Sequence, residues 1–408
     1  MNIKDLPPAI GFCVNEALFA AGSEFYRVHR PANIIAPEMK LFTFVSSRFT
    51  LPELDRATQR RGEPIMMQVP DEAGNDQVIT PNVVILRATV VTTVREDDDY
   101  EDLDFGDAFD TLRRRIAVAQ RAGQIIILDL DDHPYAWNAF HPDQLVTDEQ
   151  WQAYDAYVAQ FNAVLCSTRY LIDHVMSDRI PGQRFEYAPN LYDPFRYDPS
   201  KARFGKDLGC HLFAKARDQA DFDVLGEFLR PVFDADPELL FIHMGEEFPC
   251  RYCLHPRSRH FDEQECDECA CEEYDWDGHD AVALLSDLPG SRFDSLEACS
   301  PWDLHESMHW NVGVIPLADS EWNWAKTEGK GFEMAAAGIP FVALTGEHPL
   351  YRHSCFLLPE EIPTVTSDEV VWKEESNAAR KWAERLAQEH QRDYIATMKR
   401  LGNTNLAK

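Results

Sequence analysis

The chain has 408 residues, which is long for one domain and sufficient for two domains that each bury a core. Its formal net charge of −31 at pH 7 repels polyanions, so the composition argues against general binding to nucleic acids or anionic membranes. No apolar run is long enough to span a bilayer, and the N-terminus lacks a signal pattern. We therefore expect a cytoplasmic protein without an integral membrane segment.

The apolar runs in the first third of the chain predict strands that alternate with turns and helices. The predicted strands lie at residues 9–14, 39–46, 82–88 and 124–130. A turn at Gly22 and a helix start that contains Tyr26 and Arg27 follow the first strand. This order is typical of an open α/β sheet.

The fourth of these strands ends in acidic residues. Asp129, Asp131 and Asp132 come at its end, and His133 follows directly. Carboxylates at this end of a strand lie where open α/β sheets bind ligands. An Asp-x-Asp-Asp triplet could also hold a divalent metal together with substrate phosphates.

The rest of the chain continues the same alternation. A strand over residues 162–166 leads into a helix capped near Ser167 or Thr168, and Pro189 and Asn190 follow the next strand. Residues 192–205 are rich in Pro, Asp and Tyr and predict a linker. The later predicted elements are a helix at 221–233, strands at 239–245 and 310–317, and a terminal amphipathic helix at 375–401.

Residues 323–344 are the most informative stretch, because they predict a loop, a short helix and a buried strand in succession. Thr327 is the predicted N-cap of the helix, and Gly338 is the predicted left-handed residue at its end. Pro340 prevents further helix, and the apolar residues after it suit a strand of a parallel sheet.

On this predicted helix Lys326, Lys330, Glu333 and Ala337 share one face. Two amines and a carboxylate at a helix N-terminus form a cradle for a phosphorylated ligand. The same spacing is also typical of a solvated helix face with weak ion pairs, so spacing alone does not decide between the two.

Five of the ten cysteines lie in one short segment. Cys250 and Cys253 form one Cys-x-x-Cys pair and Cys266 and Cys269 another, and 12 residues separate the pairs. This layout is typical of a tetrahedral structural zinc, for which His255, His260 or Cys271 could replace one ligand. Acidic residues outnumber arginines across the segment, which argues against a nucleic-acid-binding finger. A structural staple and a docking surface for a protein remain the alternatives.

The stretch at 323–340, Asn-x-x-Lys-Thr-x-x-Lys-x-x-Glu-x-x-Ala-x-Gly-x-Pro, resembles the donor-site signature of the GT-B glycosyltransferases. The resemblance is to the retaining, family four-like enzymes of bacteria and phages. It implies that Lys326 meets the donor diphosphate and that Glu333 holds the ribose. Asn323, Thr327 and Lys330 then belong to the same donor site.

One position departs from the pattern. Many relatives carry a glutamate eight positions before the ribose glutamate, where it contacts the transferred sugar, whereas this chain has Ala325. Glu321 and Glu328 are the nearest acids that could take its role.

The resemblance follows the order of elements from about residue 9 to residue 360 and adds site residues. It implies that Gly22 and Arg27 contact the donor. It also implies catalytic roles for His133, at the donor sugar, for Asp132 and for Lys326, with the other acids structural or on the acceptor side. Lys215 and Arg217 lie where relatives place basic residues, although their spacing does not match. Helix dipoles and basic side chains replace a metal in most relatives, so no catalytic metal is expected.

The expected fold is therefore two doubly wound Rossmann-like α/β domains that face a cleft. Residues 1–195 form the expected acceptor-side domain, and residues 205–370 form the donor domain with a zinc-knuckle insertion at 248–278. Residues 371–408 are expected to form a terminal helix that packs back on the first domain.

The activity that the resemblance implies is hexosyl transfer. A sugar moves from a nucleotide-diphosphate-sugar donor to a hydroxyl-bearing acceptor, which can be a protein, with retention of configuration, in bacterial or phage-infected host cytoplasm. One alternative is a nucleotide-sugar epimerase or hydrolase on the same fold. Another is a non-catalytic interaction protein on a degenerate scaffold, which Ala325 favours and the retained motif residues oppose.

Overall fold

The structure is a computed structural model. It describes residues 9–13, 25–39, 42–46, 65, 67–70, 76–87, 105–136, 146–211, 219–245, 260–261, 265–266, 293–297, 308–344 and 356–403. The chain divides into two compact units. Unit 1 comprises Met1–Tyr192, Ala325–Thr327 and Gln388–Lys408, and unit 2 comprises Asp193–Trp324 and Glu328–Ala387. Among the helices in the described ranges, none is long and apolar enough to cross a membrane.

Unit 1 contains eight of the described strands and three complete helices. The strands are β1 (Ala9–Cys13), β2 (Phe42–Ser46), β3 (Met67–Pro70), β4 (Asp76–Ile79), β5 (Val83–Arg87), β6 (Ile125–Leu130), β7 (Ala163–Cys166) and β8 (Phe185–Tyr187). The helices are α1 (Arg30–Met39), α2 (Phe105–Arg121) and α3 (Asp148–Val158), and π-helical turns lie at Phe25–His29 and Leu171–Met176. Strands β3 and β4 form an antiparallel hairpin.

The remaining strands of unit 1 form one parallel sheet in the order β2-β1-β5-β6-β7-β8. Successive residues of a strand point to opposite faces of its sheet. Leu128 therefore packs with Phe109 of α2 on one face, whereas Ile127 packs with Tyr394 of the terminal helix on the other. Both faces are covered, which explains why the central strands β5, β6 and β7 are apolar over most of their length.

Unit 2 contains the other described strands, three complete helices and parts of two more. The strands are β9 (Asp207–His211), β10 (Leu240–Gly245), β11 (His260–Phe261), β12 (Glu265–Cys266), β13 (Phe293–Glu297), β14 (Val312–Pro316), β15 (Phe341–Leu344) and β16 (Phe356–Leu357). The helices are α4 (Gln219–Ala235), α5 (Glu321–Ala325), whose last residue belongs to unit 1, α6 (Gly329–Ala336), α7 (Ile362–Val365) and α8 (Glu369–Asn403), which is divided between the units at Ala387.

The main sheet of unit 2 is also parallel, in the order β13-β10-β9-β14-β15-β16. Its core packs Leu225 and Leu229 of α4 against Phe241, Val314 and other apolar strand residues. In both sheets the first strands in the chain are added toward one edge of the sheet. The later strands are then added on the other side of the first strand, toward the opposite edge. The reversal falls between β1 and β5 in unit 1 and between β9 and β14 in unit 2. Both sheets are therefore doubly wound, and the predicted α/β class with parallel sheets is confirmed.

The end of helix α6 forms as the sequence predicts. Gly338 adopts φ +78, in the left-handed region. The N–H of Ile339 donates to the carbonyl of Met334 at 2.9 Å, which satisfies a carbonyl of the last turn. The chain then enters β15 directly.

The start of α6 differs from the prediction. The N-cap is Glu328 and not Thr327. The hydroxyl of Thr327 instead accepts a hydrogen bond from Nδ2 of Asn190 at 3.0 Å. Lys326 consequently lies before the helix and in unit 1, so the prediction that it shares a helix face with Lys330 and Glu333 is wrong.

Several predicted residues lie outside the described part of the chain. These are Gly22, Lys215, Arg217, Cys250, Cys253, Cys269 and Cys271. The backbone of Cys266 is described, in β12, where its register partner in β11 is His260. The zinc site therefore stays a prediction.

We predict that Gly338→Ala destabilises unit 2. A non-glycine residue in the left-handed region costs about 1–2 kcal/mol, and the added Cβ would lie 3.2 Å from Cβ of Pro199 and 3.3 Å from Oγ of Ser376. Gly182→Ala is the control, because Gly182 has φ +87 and no atom within 4 Å of an added Cβ. Urea unfolding should show a larger loss in the free energy of unfolding for Gly338→Ala than for Gly182→Ala. Equal losses would show that the close contacts of the added Cβ with Pro199 and Ser376 do not matter.

Candidate functional site

Polar residues of unit 1 gather at one edge of its sheet. Arg87 ends β5, Asp129 and Asp131 come at the end of β6, Thr168 follows β7, and Asn190 follows β8. These strands are neighbours and all parallel, so their carboxyl ends meet. Arg87 and Asp129 are direct register partners. Ligands of open α/β sheets bind beyond this edge.

Arg27, which the resemblance assigned to the donor, is buried in unit 1 with 1% of its surface exposed. Its Nε donates to Oδ2 of Asp129 at 3.0 Å and a terminal nitrogen donates to Oδ1, so the pair is bidentate. The guanidinium also donates to the carbonyl of Ala188 and, at 3.5 Å, to Oδ1 of Asn190. Burial alone would lower the pKa of Arg27, but the charge of Asp129 outweighs it and raises that pKa. The structure thus gives Arg27 an internal structural role, and its contact with the donor stays a prediction.

The segment Ala325–Thr327 is held to this edge by two hydrogen bonds. Asn190 donates to the hydroxyl of Thr327, as described above, and the hydroxyl of Thr168 donates to the carbonyl of Ala325 at 3.2 Å. The side chain of Ala325 is fully buried in the apolar cluster that contains Leu171. The three residues therefore belong to unit 1, although the residues before and after them belong to unit 2.

The acids after β6 have different environments. Asp131 accepts an ion-pair hydrogen bond from Arg87, and the side chains of the two residues are 9% and 3% exposed. Asp132 keeps solvent access. Nevertheless, reduced hydration by the surrounding protein and the charge of Asp131 raise the pKa of Asp132 to about 6, against the opposing effects of Lys326 and Arg87. A carboxyl group that titrates in this range suits proton transfer near neutral pH.

His133 is half-buried and lies edge-on to the ring of Tyr135, with 6.3 Å between the ring centroids. The hydroxyl of Tyr135 donates to Asp155, and the guanidinium of Arg179 lies 3.9 Å from the Tyr135 ring centroid. Tyr135 is therefore held on both its edge and its face, and it limits the positions open to His133.

In unit 2 the motif follows a strand at the reversal of the sheet order. Strand β14 ends at Pro316 beside β9, and α5 and α6 come next in the chain. Lys330 lies in the first turn of α6, and Glu333, which is 7% exposed, lies one turn further along the same face. The side chain of Glu328 makes no capping hydrogen bond. The backbone N–H groups in the first turn of α6 therefore give this helix N-terminus a partial positive charge that attracts anions.

Asn323, which was also assigned to the donor, is fully buried in unit 2. Its Nδ2 donates to Oδ1 of Asp221 at 2.7 Å and to the carbonyl of Ala318 at 3.0 Å. The N–H of Ala318 donates to the same carboxylate oxygen at 2.7 Å. Asn323 therefore fixes the turn between β14 and α5, and its contact with the donor stays a prediction.

The structure brings the predicted site residues together in two groups. Unit 1 contains Lys326, Thr327, Asp132 and His133, and unit 2 contains Lys330 and Glu333. Sequence analysis assigned no site role to Thr168, Asn190 and Arg87. The sequence signal that could have identified them is their position at or just after the ends of predicted strands. A polar side chain at such a position does not contribute to the apolar core and lies where ligands bind.

No protein-family model matches the sequence, and no curated protein matches it. Solved structures match its fold. Sucrose-phosphate synthase from Thermosynechococcus elongatus matches with a TM-score of 0.56 and 11% identity over 97% of this chain and 99% of that chain. HepE from Anabaena, solved in complex with UDP, matches with a TM-score of 0.51 and 12% identity over 96% and 99%. TarM matches with a TM-score of 0.51 and 8% identity over 99% and 100%.

These structures are GT-B glycosyltransferases, so the likeness shows the fold of this chain to be GT-B. The expectation from the motif at 323–340 is thereby confirmed at the level of the fold.

We predict that Arg27→Met destabilises unit 1 by about 3–5 kcal/mol, because it leaves the carboxylate of Asp129 buried without its counter-charge. Arg179→Met is the matched control. Arg179 pairs with Asp155 at 3.1 Å, but its side chain is 39% exposed, so its loss should cost about 1 kcal/mol or less. Urea unfolding with hydrogen exchange to identify unit 1 measures both. Similar losses would contradict the structural role of Arg27.

We also predict that Ala325→Glu destabilises unit 1 and does not add a sugar contact, because the carboxylate would enter an apolar cluster. Ala159→Glu is the control at an exposed position of the same unit, where substitutions usually change stability by about 0.5 kcal/mol or less. Thermal unfolding compares the two. A stable Ala325→Glu protein with tighter donor binding would contradict the burial argument.

Proposed function

We propose that the protein is a glycosyltransferase that moves a sugar from a nucleoside diphosphate sugar to a hydroxyl acceptor, with retention at the anomeric carbon. The observation that carries the proposal lies in unit 2. The motif follows β14 at the reversal of the sheet order, where open α/β sheets bind nucleotides. The amide end of α6 and Lys330 suit the diphosphate, and the buried carboxylate of Glu333 suits the ribose hydroxyls. HepE and a TarM variant, which share the fold, were each solved with UDP.

In the proposed reaction the bond between the anomeric carbon and the diphosphate oxygen breaks. The acceptor oxygen bonds to the same face of that carbon, and its proton passes to the departing diphosphate. The protein's task is then to offset the charge that grows on the diphosphate, through Lys330, the amide end of α6 and, by resemblance, Lys326. These positive groups take the role that a divalent cation has in other transferases, and no side-chain nucleophile is needed. By the same resemblance, we propose that His133 acts at the transferred sugar and that Asp132 has a catalytic role.

A thermal-shift screen against nucleoside diphosphates and nucleotide sugars tests the proposal. A ligand at a hundred times its dissociation constant stabilises the folded state by about 2.7 kcal/mol. At least one nucleoside diphosphate should raise the melting temperature, and the matching nucleotide sugar should support transfer. If no ligand raises it, the proposal fails and the interaction-protein alternative gains support.

Lys326→Ala should weaken binding of that nucleoside diphosphate about tenfold or more, because a charge-assisted hydrogen bond to phosphate contributes about 1.5–3 kcal/mol. Lys399→Ala is the matched control, because Lys399 is an exposed lysine of α8 in the same unit. Calorimetric titration measures both variants. Wild-type affinity in Lys326→Ala would remove the diphosphate role.

We further propose a structural zinc held by Cys250, Cys253, Cys266 and Cys269. The spacing of the cysteines supports it. The antiparallel pairing of β11 with β12 also supports it, because it reverses the chain direction between the two cysteine pairs and includes Cys266, the first cysteine of the second pair. The acidic segment that contains the site suits a structural staple or a docking surface for a protein acceptor.

Elemental analysis of the purified protein should therefore find about one zinc per chain. A chelator should lower the melting temperature, since a structural zinc contributes folding free energy. Cys253→Ser should lose the metal, and Cys210→Ala, a cysteine of β9 outside the predicted ligand set, should retain it. Protein prepared without chelator that contains no metal would end this proposal.

A further inference from the structure

Lys326 lies between two residues that are anchored to unit 1. Its neighbour on one side, Ala325, accepts a hydrogen bond at its carbonyl from the hydroxyl of Thr168 at 3.2 Å. Its neighbour on the other side, Thr327, accepts one at its hydroxyl from Nδ2 of Asn190 at 3.0 Å. The side chain of Ala325 adds a third anchor through burial. The backbone on both sides of Lys326 is thus fixed to the strand ends of one sheet.

The hydroxyl of Thr168 is held in a fixed orientation. Thr168 is 3% exposed and follows β7 directly. Its Oγ1 accepts a hydrogen bond from the N–H of Leu171 at 3.2 Å, which leaves the hydroxyl proton for the carbonyl of Ala325. The bond to Leu171 is the helix-start cap that the sequence predicts near Thr168. One side chain therefore both starts a helical turn and anchors the motif.

Asn190 is also fixed before it meets the motif. It is 5% exposed, and its backbone carbonyl lies 2.9 Å from Nδ1 of His390 on the terminal helix. Its side-chain Oδ1 faces the Arg27 guanidinium, as described above, which leaves the amide nitrogen to donate to Thr327. The orientation of the amide thus follows from its neighbours.

We propose that Thr168 and Asn190 are positioning residues for sugar transfer, because they hold Ala325 and Thr327 and thereby fix the backbone from which the ammonium of Lys326 reaches the departing diphosphate. The inference rests on the proposed function, in which Lys326 offsets the charge of the departing diphosphate. Neither residue needs to touch the donor. Preorganised charge stabilises a transition state because it does not have to reorient during the reaction, and a displacement of about 1 Å can cost about a hundredfold in rate.

The electrostatic surroundings of Lys326 support this reading. Burial and the charge of Asp131 raise the pKa of the Asp132 carboxyl, and the charge of Lys326 opposes both effects. Arg87 acts on Asp132 in the same direction from the end of β5. Lys326 therefore extends toward a group of charged side chains from a backbone that is anchored on both sides.

The first experiment measures the anchoring without any substrate. Hydrogen exchange followed by mass spectrometry is recorded for the peptide that spans residues 321–328 in the full-length protein. We expect exchange in Thr168→Val and Asn190→Ala to be about tenfold faster than in the wild type in this peptide, and Thr168→Ser to resemble the wild type. Thr397→Val is the matched control, because its buried hydroxyl donates to the carbonyl of Tyr187 at 2.6 Å and accepts from Arg400 in the same unit, with no hydrogen bond to residues 321–328. Unchanged exchange in both test variants overturns the proposal.

The second experiment measures transfer with a donor identified in the thermal-shift screen. We expect kcat to fall about tenfold or more in Thr168→Val and in Asn190→Ala, with a smaller change in KM for the donor, because the loss affects charge that develops in the transition state. Thr168→Ser should recover kcat to within about twofold. Thr397→Val should keep kcat even where its melting temperature falls as far as that of the test variants. If kcat falls in proportion to the melting temperature across all variants, including Thr397→Val, then Thr168 and Asn190 have only a structural role and the proposal is overturned.

A double-mutant cycle tests the link between Asn190 and Thr327 and covers the case in which one variant folds poorly. If Asn190 acts through Thr327, Thr327→Val in the Asn190→Ala background should reduce kcat by less than about twofold further. Multiplying losses would show that the two residues act independently and would overturn the link. If the wild type transfers no sugar with any donor, the proposed function fails. Faster exchange in residues 321–328 would then still establish the anchoring but overturn its role in transfer.

Discussion

The buried ion pair between Arg27 and Asp129 is the contact on which the edge of the unit 1 sheet depends. Removing two charges from water costs several kcal/mol per ion, and only good geometry offsets that cost. Here the pair is bidentate, and the guanidinium bonds further to the carbonyl of Ala188 and to Asn190. The pair therefore ties β6 to the segment after β8, and Asn190 extends the tie to Thr327. The segment Ala325–Thr327, which is distant in sequence, is thus connected within unit 1 to a buried ion pair.

The alanine at position 325 has a packing explanation. The family pattern places a sugar-contacting glutamate there, so its absence would suggest a degenerate site. In this chain the side chain at 325 is fully buried in an apolar cluster, where an ionised carboxylate would lose its hydration without a partner. Position 325 has become an anchor for its neighbours Lys326 and Thr327. The substitution therefore gives no support to the alternative of a non-catalytic interaction protein, and the retained Lys330 and Glu333 still oppose that alternative.

The sequence predicted most strands of the two parallel sheets and the end of helix α6, because each leaves a local signal, but it did not predict β9, which is also buried. Apolar runs mark β1, β5, β6, β7, β10, β14 and β15, and a glycine followed by a proline marks the exit from α6. Local reasoning failed where a distant partner decides. Arg27 and Asn323 each bond to an aspartate 102 residues away, which no spacing rule detects. Threonine is a preferred N-cap residue, but the hydroxyl of Thr327 accepts a hydrogen bond from Asn190. The N-cap of the helix is Glu328, one residue later. Strand β13 was not predicted because only two of its five residues are apolar and they do not alternate with polar ones.

The net charge and the proposed donor site act together on ligand choice. At −31 the chain repels polyanions over most of its surface, and this repulsion grows with the number of phosphates that a ligand presents. A nucleoside diphosphate presents only two phosphates and is small enough to be neutralised by one helix end and a few amines. The Debye length is about 10 Å at 0.1 M salt, so a small anion at the end of α6 experiences Lys330 and the first-turn amides more strongly than the distant acids. A nucleic acid strand would extend past that range and meet the acidic surface. The same composition that argues against nucleic acid therefore remains compatible with a nucleotide sugar.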